Sequence, residues 1–278
     1  MPGTEERLWR AALERSIQAR RDGSLIPLVT DLIASEGWEP FQLRRLCSRT
    51  PKHLLERGPR PNPFLPWERP LEVQRLGTSH VLLLNKYPVQ AGHVLLITQD
   101  WAPQAGWLLA SDWKAVSEVA ADTAGLWFFN SCAEAGASQP HRHLQLLPRH
   151  HSEPACPLEP AIRAQLEGDA APWPWRYRLS RRQPGEDHSA LADHYNNQAI
   201  ALGIGDPGAG GSPLYPYNLL FSEHWFLMIR RRVERMAGFS VNALGFAGYL
   251  LLTDQADLGW FRQHGPWALL AEVADQVP

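Results

Sequence analysis

The segment from Gly136 to Leu147 reads Gly-Ala-Ser-Gln-Pro-His-Arg-His-Leu-Gln-Leu-Leu, and it restricts the fold more than any other stretch of the chain. His141, His143 and Gln145 alternate with Arg142, Leu144 and Leu146. Successive side chains on a strand point to opposite faces. A strand here sets two imidazoles and an amide on one face and anchors Leu144 and Leu146 in a core on the other. The small-residue turn Gly136-Ala137-Ser138 leads in, with Pro140 just before the strand. Such a turn can bring backbone N–H groups close to an anion.

Strand periodicity also marks residues 71–76, 80–84, 93–98 and 126–130. Pro88 and Gly92 in one connection suit antiparallel pairing. Residues 80–84, 93–98, 126–130 and 141–147 predict an antiparallel sheet with one crossover helix at 113–124, capped by Asp112. Residues 4–21 predict a helix capped by Thr4, with Leu8, Trp9, Ala12, Leu13 and Ile17 on its apolar stripe and Gly23 at its end. Residues 24–46 read as helical or mixed, and 149–170 as a connection. The run Pro59-Arg-Pro-Asn-Pro-Phe-Leu-Pro66 can be neither helix nor central strand, and its composition suggests a surface linker. Further on, 188–201 predicts a helix. Residues 217–221 and 225–229 predict a hairpin ending in Arg230, Arg231 and Arg232, a sequence that usually makes a solvated strand end. Residues 240–252 predict a helix rich in small residues, and 255–263 and 266–277 two amphipathic segments. The fold class expected is α+β, with a catalytic N-terminal region at 1–165 and a C-terminal α+β region at 166–278 packed against it.

The chain has 278 residues and a net charge of −2, which argues against a generic nucleic-acid or membrane-surface binder. Hydrophobic residues make up 44% and charged residues 20%, enough apolar material for a large core. Cys47, Cys132 and Cys156 are too scattered for a disulfide framework or a cysteine zinc site. Glu5, Glu6, Arg7 and Arg10 interrupt the N-terminus, so no signal peptide is expected and the expected location is the cytoplasm.

Three roles compete for the polar face of the 141–147 strand. The first is structural: histidines hydrogen-bonded and inert. Burying three polar groups without partners costs about 1–3 kcal/mol each, so a ligand is the cheaper explanation. The second is a metal, with His93, His150 or His151 as a third ligand, although no spacing singles one out. The third is nucleophilic catalysis at phosphorus. An imidazole is a neutral nucleophile near neutrality, and Gln145, Ser138 and the N–H groups of 136–139 could bind the non-bridging oxygens.

The stretch Asn130-Ser-Cys-Ala-Glu-Ala-Gly-Ala-Ser-Gln-Pro-His-Arg-His-Leu-Gln145 resembles the histidine-triad superfamily, in the branch with Gln in place of the last His. It is similar to the ATP adenylyltransferases, or diadenosine tetraphosphate phosphorylases. Asn62–Glu68, Val81–Tyr87, His93–Thr98, Tyr217–Leu220 and Ser240–Gly248 match that family in the same order. The resemblance implies a HIT-like antiparallel sheet flanked by helices. It also implies phosphorolysis of diadenosine tetraphosphate to ATP and ADP through an adenylyl-histidine. His143 would be the nucleophile. His141 would orient it through its backbone carbonyl, and Gln145 would bind a phosphate oxygen. Nucleotide and phosphate contacts would come from Lys52, Asn85, Lys86, Asn130, Gly136, Ala137, Ser138, Gln139, Ser240, Val241 and Asn242. Gly245 and Gly248 suit close packing better than nucleotide binding. No covalently bound cofactor and no protein metal site are implied, and Mg2+ would accompany the substrate phosphates. The partners implied are small nucleotides and phosphate, with no nucleic acid or membrane, in a monomer or homodimer. A nucleotidyltransferase acting on a sugar 1-phosphate and a nucleotide-binding sensor without turnover are the rival expectations.

Overall fold

Apolar alternation along eight segments is satisfied by a single antiparallel sheet. The computed structural model describes residues 6–33, 37–48, 62–151 and 153–277. The chain begins with α1 (Arg7–Arg21), β1 (Thr30–Leu32) and β2 (Gln42–Leu46). It continues through β3 (Glu72–Leu76), β4 (His80–Leu84), β5 (Val94–Thr98), α2 (Ala110–Ala120), β6 (Gly125–Asn130), β7 (His143–Pro148) and α3 (Glu159–Glu167). Then come β8 (Tyr177–Arg181), α4 (His188–Ala201), the hairpin β9 (Tyr217–Phe221) and β10 (Trp225–Arg230), β11 (Arg235–Met236), β12 (Phe239–Ser240), β13 (Tyr249–Leu252) and α5 (Leu258–Val273). The large sheet has the order β3-β4-β5-β7-β6-β9-β10-β8. Every neighbouring pair in it is antiparallel.

The α+β arrangement expected from the sequence is the one observed. One face of the sheet carries Leu82, Leu96, Leu144, Leu146, Trp127, Phe129, Leu219 and Phe226. That face is covered by α1, α2 and α4 through Ala12, Val116, Val119, Tyr195 and Ala199. The opposite face holds two separate apolar clusters. Phe64, Val81, Leu83, Leu95 and Ile97 form one over β4 and β5. Phe128, Leu147, Leu220, Leu227, Phe261 and Leu270 belong to the other, over β6, β9 and β10. Between them lies β7, and there His143 and Gln145 stand. The gap between two cores gives those polar groups a place that is walled but not filled.

β6 pairs with β9, so the sheet runs unbroken from the N-terminal to the C-terminal half. The division expected between residues 165 and 166 falls inside α3. A second sheet also mixes the two halves: β2 pairs antiparallel with β1 and parallel with β13. Among the described residues, no helix is long and apolar enough to cross a membrane.

Several local expectations are corrected. Among the described residues of 24–46 there are two strands and no helix, because pairing with β13 overrides the mixed local signal. Asp112 is not the cap of its helix. It lies two residues inside α2, accepts the Leu109 N–H at 2.6 Å, and is buried against His80 and Arg142 at 2.9 and 3.1 Å. Thr4 lies outside the described residues, and α1 starts at Arg7 with Ile17 exposed. Residues 159–167 of the expected connection form α3. The expected 240–252 helix is a short 3-10 turn over Ala243–Ala247 followed by β13. Gly248 (φ 97°) stops the turn, and Leu250 and Leu252 go into the core. Arg231 is 1% exposed rather than solvated.

Candidate active site

The β7 strand delivers what its alternation required. The His143 Nδ1–H donates to the His141 carbonyl at 2.8 Å, which fixes the tautomer and leaves Nε2 as the basic nitrogen. The ring is 3% exposed, and burial lowers its pKa from 6.5 to about 4, so it is neutral at pH 7. Its backbone N–H donates to Gln104 Oε1 at 2.8 Å, and Gln104 Nε2 donates to the Asn130 carbonyl at 2.7 Å. The ring of Phe64 packs against both histidines, with centroids 5.6 Å from each.

The side chain of His141 is spent on structure. Its Nε2–H faces the Thr98 carbonyl at 2.9 Å, and its Nδ1 accepts from Asn62 Nδ2 at 2.9 Å. Burial lowers its pKa too. The proline-rich run is therefore not a detached linker. Asn62 and Phe64 reach from it onto the two histidines, and the exposed Trp101 stands edge-on to His141 with centroids 5.4 Å apart.

Gln145 is half-buried, and its Oε1 accepts from His93 Nε2 at 3.0 Å. His93 Nδ1 in turn faces Asn85 Nδ2 at 3.1 Å, and Asn85 Oδ1 accepts the Tyr87 N–H at 3.0 Å. His93, first considered as a metal ligand, is thus engaged with two amides. His150 and His151 lie elsewhere, against Glu6 and Glu223. Among the described residues, no group of three His, Cys, Asp or Glu side chains could hold a metal ion.

The turn after β6 is held from beneath. Gly136 has φ 88°, and a Cβ there would lie 2.6 Å from Asn242 Cβ, so only glycine lets these two loops touch. The Gly136 and Ala137 N–H groups are used inside the turn, on the carbonyls of Ala133 and Cys132 at 2.9 Å each. Among the described residues, the N–H groups of Ser138 and Gln139 make no hydrogen bond, so they are the turn's free backbone donors. Gln139 Oε1 is buried without a partner. Asn130 Oδ1 accepts from Asn218 Nδ2 and from the Ala243 N–H, both at 2.8 Å. Buried Arg231 donates to Asn218 Oδ1 and to the carbonyl of Val241 at 2.8 Å. It lashes the 240–243 loop to the turn.

The structure joins His141, His143, Asn130 and Val241 in one hydrogen-bonded network through Gln104, Asn218 and Arg231, links Gln145 and Asn85 in a second chain through His93, and packs Gly136 against Asn242. Ala137, Ser138 and Gln139 belong to its rim. Lys86 is turned to Glu68 at 2.5 Å, and the Ser240 hydroxyl to Glu234 at 2.6 Å. Asn242 caps the 3-10 turn through the Leu244 N–H. Lys52 lies outside the described residues. Gly245 and Gly248 pack against Val241 and Pro157, as expected. Gln104 had no sequence signal, and the stretches holding Thr98, Asn218 and Arg231, though singled out, gave none for these contacts, which join separate segments of the chain. His93 did have one, since it shares the alternation of Leu95 and Ile97.

Comparison with known proteins agrees with this geometry. The family model for the Ap4A phosphorylase N-terminal domain matches residues 2–164, and that for the ATP adenylyltransferase C-terminal domain matches residues 171–276. Diadenosine 5',5'''-P1,P4-tetraphosphate phosphorylase 2 of Saccharomyces cerevisiae is 25% identical over 213 residues, 65% of this chain and 64% of that protein. Protein APA1 of the same yeast is 36% identical over 76 residues, 25% of this chain and 24% of that protein. The aligned part thus spans less than two thirds of either curated relative. The crystal structure of yeast Ap4A phosphorylase Apa2 superposes with a TM-score of 0.74 at 19% identity, covering 99% of both chains. Its complex with AMP gives 0.75 at 20% identity, covering 99% of this chain and 98% of that one. With the strand carrying His143, the turn before it and the sheet that spans both halves all in place, the chain belongs to the Ap4A phosphorylase family, with an N-terminal Ap4A phosphorylase region and a C-terminal ATP adenylyltransferase region.

Proposed function

We propose that the protein catalyses the reversible phosphorolysis of diadenosine tetraphosphate, with inorganic phosphate as acceptor and ATP and ADP as products. The observation that carries this is the His143 ring, held by the His141 carbonyl at 2.8 Å with Nε2 left basic, on a neutral imidazole. A relative named for this tetraphosphate phosphorylase activity, and an Apa2 structure in complex with Ap4A, support the substrate.

In the first half-reaction Nε2 attacks the α-phosphorus, the P–Nε2 bond forms, and the P–O bond to ATP breaks. In the second, an oxygen of phosphate attacks the same phosphorus, the P–Nε2 bond breaks, and ADP leaves. The ring's Nδ1–H stays on the His141 carbonyl throughout, so the positive charge of the adenylylated imidazole is stabilised by a bond already made. Gln145 and the Ser138 and Gln139 N–H groups would meet the non-bridging oxygens, where charge grows in the transition state. An amide cannot protonate a leaving group, which favours transfer to phosphate over loss to water. Mg2+ would arrive on the substrate polyphosphate: the groups converging here are N–H donors, which suit phosphate oxygen.

Quenched-flow mixing with adenine-labelled substrate tests the route. Acid-labile label trapped on the protein, with ADP formed only when phosphate is added, is the expected result. Turnover without trapped label, or full turnover by His143→Ala, would end the assignment. Transfer to hexose 1-phosphate in preference to phosphate would move the protein to the sugar-nucleotide branch.

A further inference from the structure

The amide of Gln145 can work only one way round. Turned with NH2 outward it donates to a phosphate oxygen; turned with its carbonyl outward it repels one. A chain of four groups decides this. The Tyr87 N–H is a backbone donor and cannot reverse. It donates to Asn85 Oδ1 at 3.0 Å, which turns Asn85 Nδ2 toward His93. Asn85 Nδ2 lies 3.1 Å from His93 Nδ1, so that nitrogen must accept and the proton sits on Nε2. His93 Nε2–H lies 3.0 Å from Gln145 Oε1, so the oxygen is claimed and the NH2 is turned away from His93. His93 itself is buried on the same face of the sheet as His143, and Leu95 of its own strand lies directly opposite Gln145 in the pairing.

We propose that His93 is a positioning residue for the transfer reaction: Asn85 sets its tautomer, and His93 holds the Gln145 amide with NH2 toward the substrate phosphate. This rests on the function proposed above. It also changes the role of Asn85, expected from the sequence to touch the nucleotide, to that of a polarity setter one residue removed. The same device recurs across the site. The Ala243 N–H, another fixed donor, claims Asn130 Oδ1 at 2.8 Å. Two primary amides, Asn85 and Asn130, are thus oriented by backbone N–H groups.

A double-variant cycle on the full chain tests the proposal. His93→Leu is expected to lower kcat about 10- to 100-fold, the range typical when the outer partner of a catalytic group is lost. KM is expected to stay within about threefold, since the donor matters most where charge develops. Gln145→Ala is expected to lose at least as much. Adding His93→Leu to Gln145→Ala should then change kcat by less than about twofold, because His93 acts through that amide alone. Independent losses that multiply, or a folded His93→Leu with wild-type kcat, would overturn the proposal. A second measurement needs no turnover. Nitrogen-15 NMR of the wild-type protein should find the His93 proton on Nε2, and Asn85→Asp should move it to Nδ1, since a carboxylate only accepts. A wild-type proton on Nδ1 would refute the relay. Failure of the wild-type protein to form ADP would instead sink the proposed function, leaving the tautomer result to stand on its own.

Discussion

Two imidazoles at the bottom of the site have the same electrostatic signature. Burial lowers both His143 and His93 from 6.5 to about 4, and the neighbouring ring adds a smaller push in the same direction for His93. The hydrogen bonds the rings donate to the His141 carbonyl and to Gln145 Oε1 oppose the shift and do not cancel it. The His143 ring is therefore neutral well below physiological pH. The acid limb of kcat/KM is expected below pH 5 rather than near 6.5, and a limb centred at 6.5 would show His143 titrating as if solvated. The same shifts act on stability. Both folded values lie below the unfolded one, so the unfolded chain binds more protons between them. The contribution is fully present above about pH 6.5 and is lost as pH falls toward 4, on the order of 3 kcal/mol per ring. Urea unfolding of wild type and His93→Leu at pH 7 and pH 4.5 checks the sign: the variant should lose less stability on acidification. Arg231 makes a different demand. Its guanidinium is 1% exposed and donates to four carbonyls and to Asn218 Oδ1, so Arg231→Leu leaves the Asn218 oxygen and the carbonyls of Val233 and Val241 without this donor. A loss of about 3 kcal/mol or more in denaturant unfolding is expected.

At the scale of elements, alternation in β7 was enough to say which side chains share a face, because a strand's period of two leaves no choice. Leu144 and Leu146 lie in the core as that period required. The proline-rich run shows the limit. Over its described residues, 62–66, its composition excluded helix and central strand correctly, yet could not show that Asn62 and Phe64 fold back onto His141 and His143. Loop side chains carry no periodicity from which a partner 79 positions away could be read. Asn62→Ala is expected to lower kcat about tenfold with little change in unfolding midpoint, since the lost bond orients His141 and the site is partly solvated. The pairing of β6 with β7 depends on one glycine. Gly125 has φ 151°, and a Cβ there would lie 2.2 Å from the Leu147 carbonyl oxygen. Gly125→Ala must therefore spread the two strands that carry Asn130, His143 and Gln145. Loss of both stability and adenylylation is the expected outcome, and a fully active, equally stable variant would show the strands pair otherwise.

For the whole molecule, the sheet passes from β6 to β9 and the small sheet joins β2 to β13, so neither half buries its own strand edges. A single cooperative unfolding transition is expected, with near-UV circular dichroism and tryptophan fluorescence coinciding. Fragments 1–165 and 166–278 expressed apart should lack native hydrogen-exchange protection in β6 and β9. Two separable transitions would mean that the halves are independent domains in spite of their shared sheet.

The sequence by itself determined which residues share the polar face of β7, the α+β class and where most strands lie along the chain. These follow from local rules: the alternation of a pleated chain and the conformational freedom of glycine. Only the tertiary structure decided that the two halves share one sheet, that Arg231 is buried, and that Gln104, Asn62 and His93 serve the site. Each of those depends on which distant segment lies across the sheet. That is settled by how the apolar faces cover one another, not by the residues next along the chain.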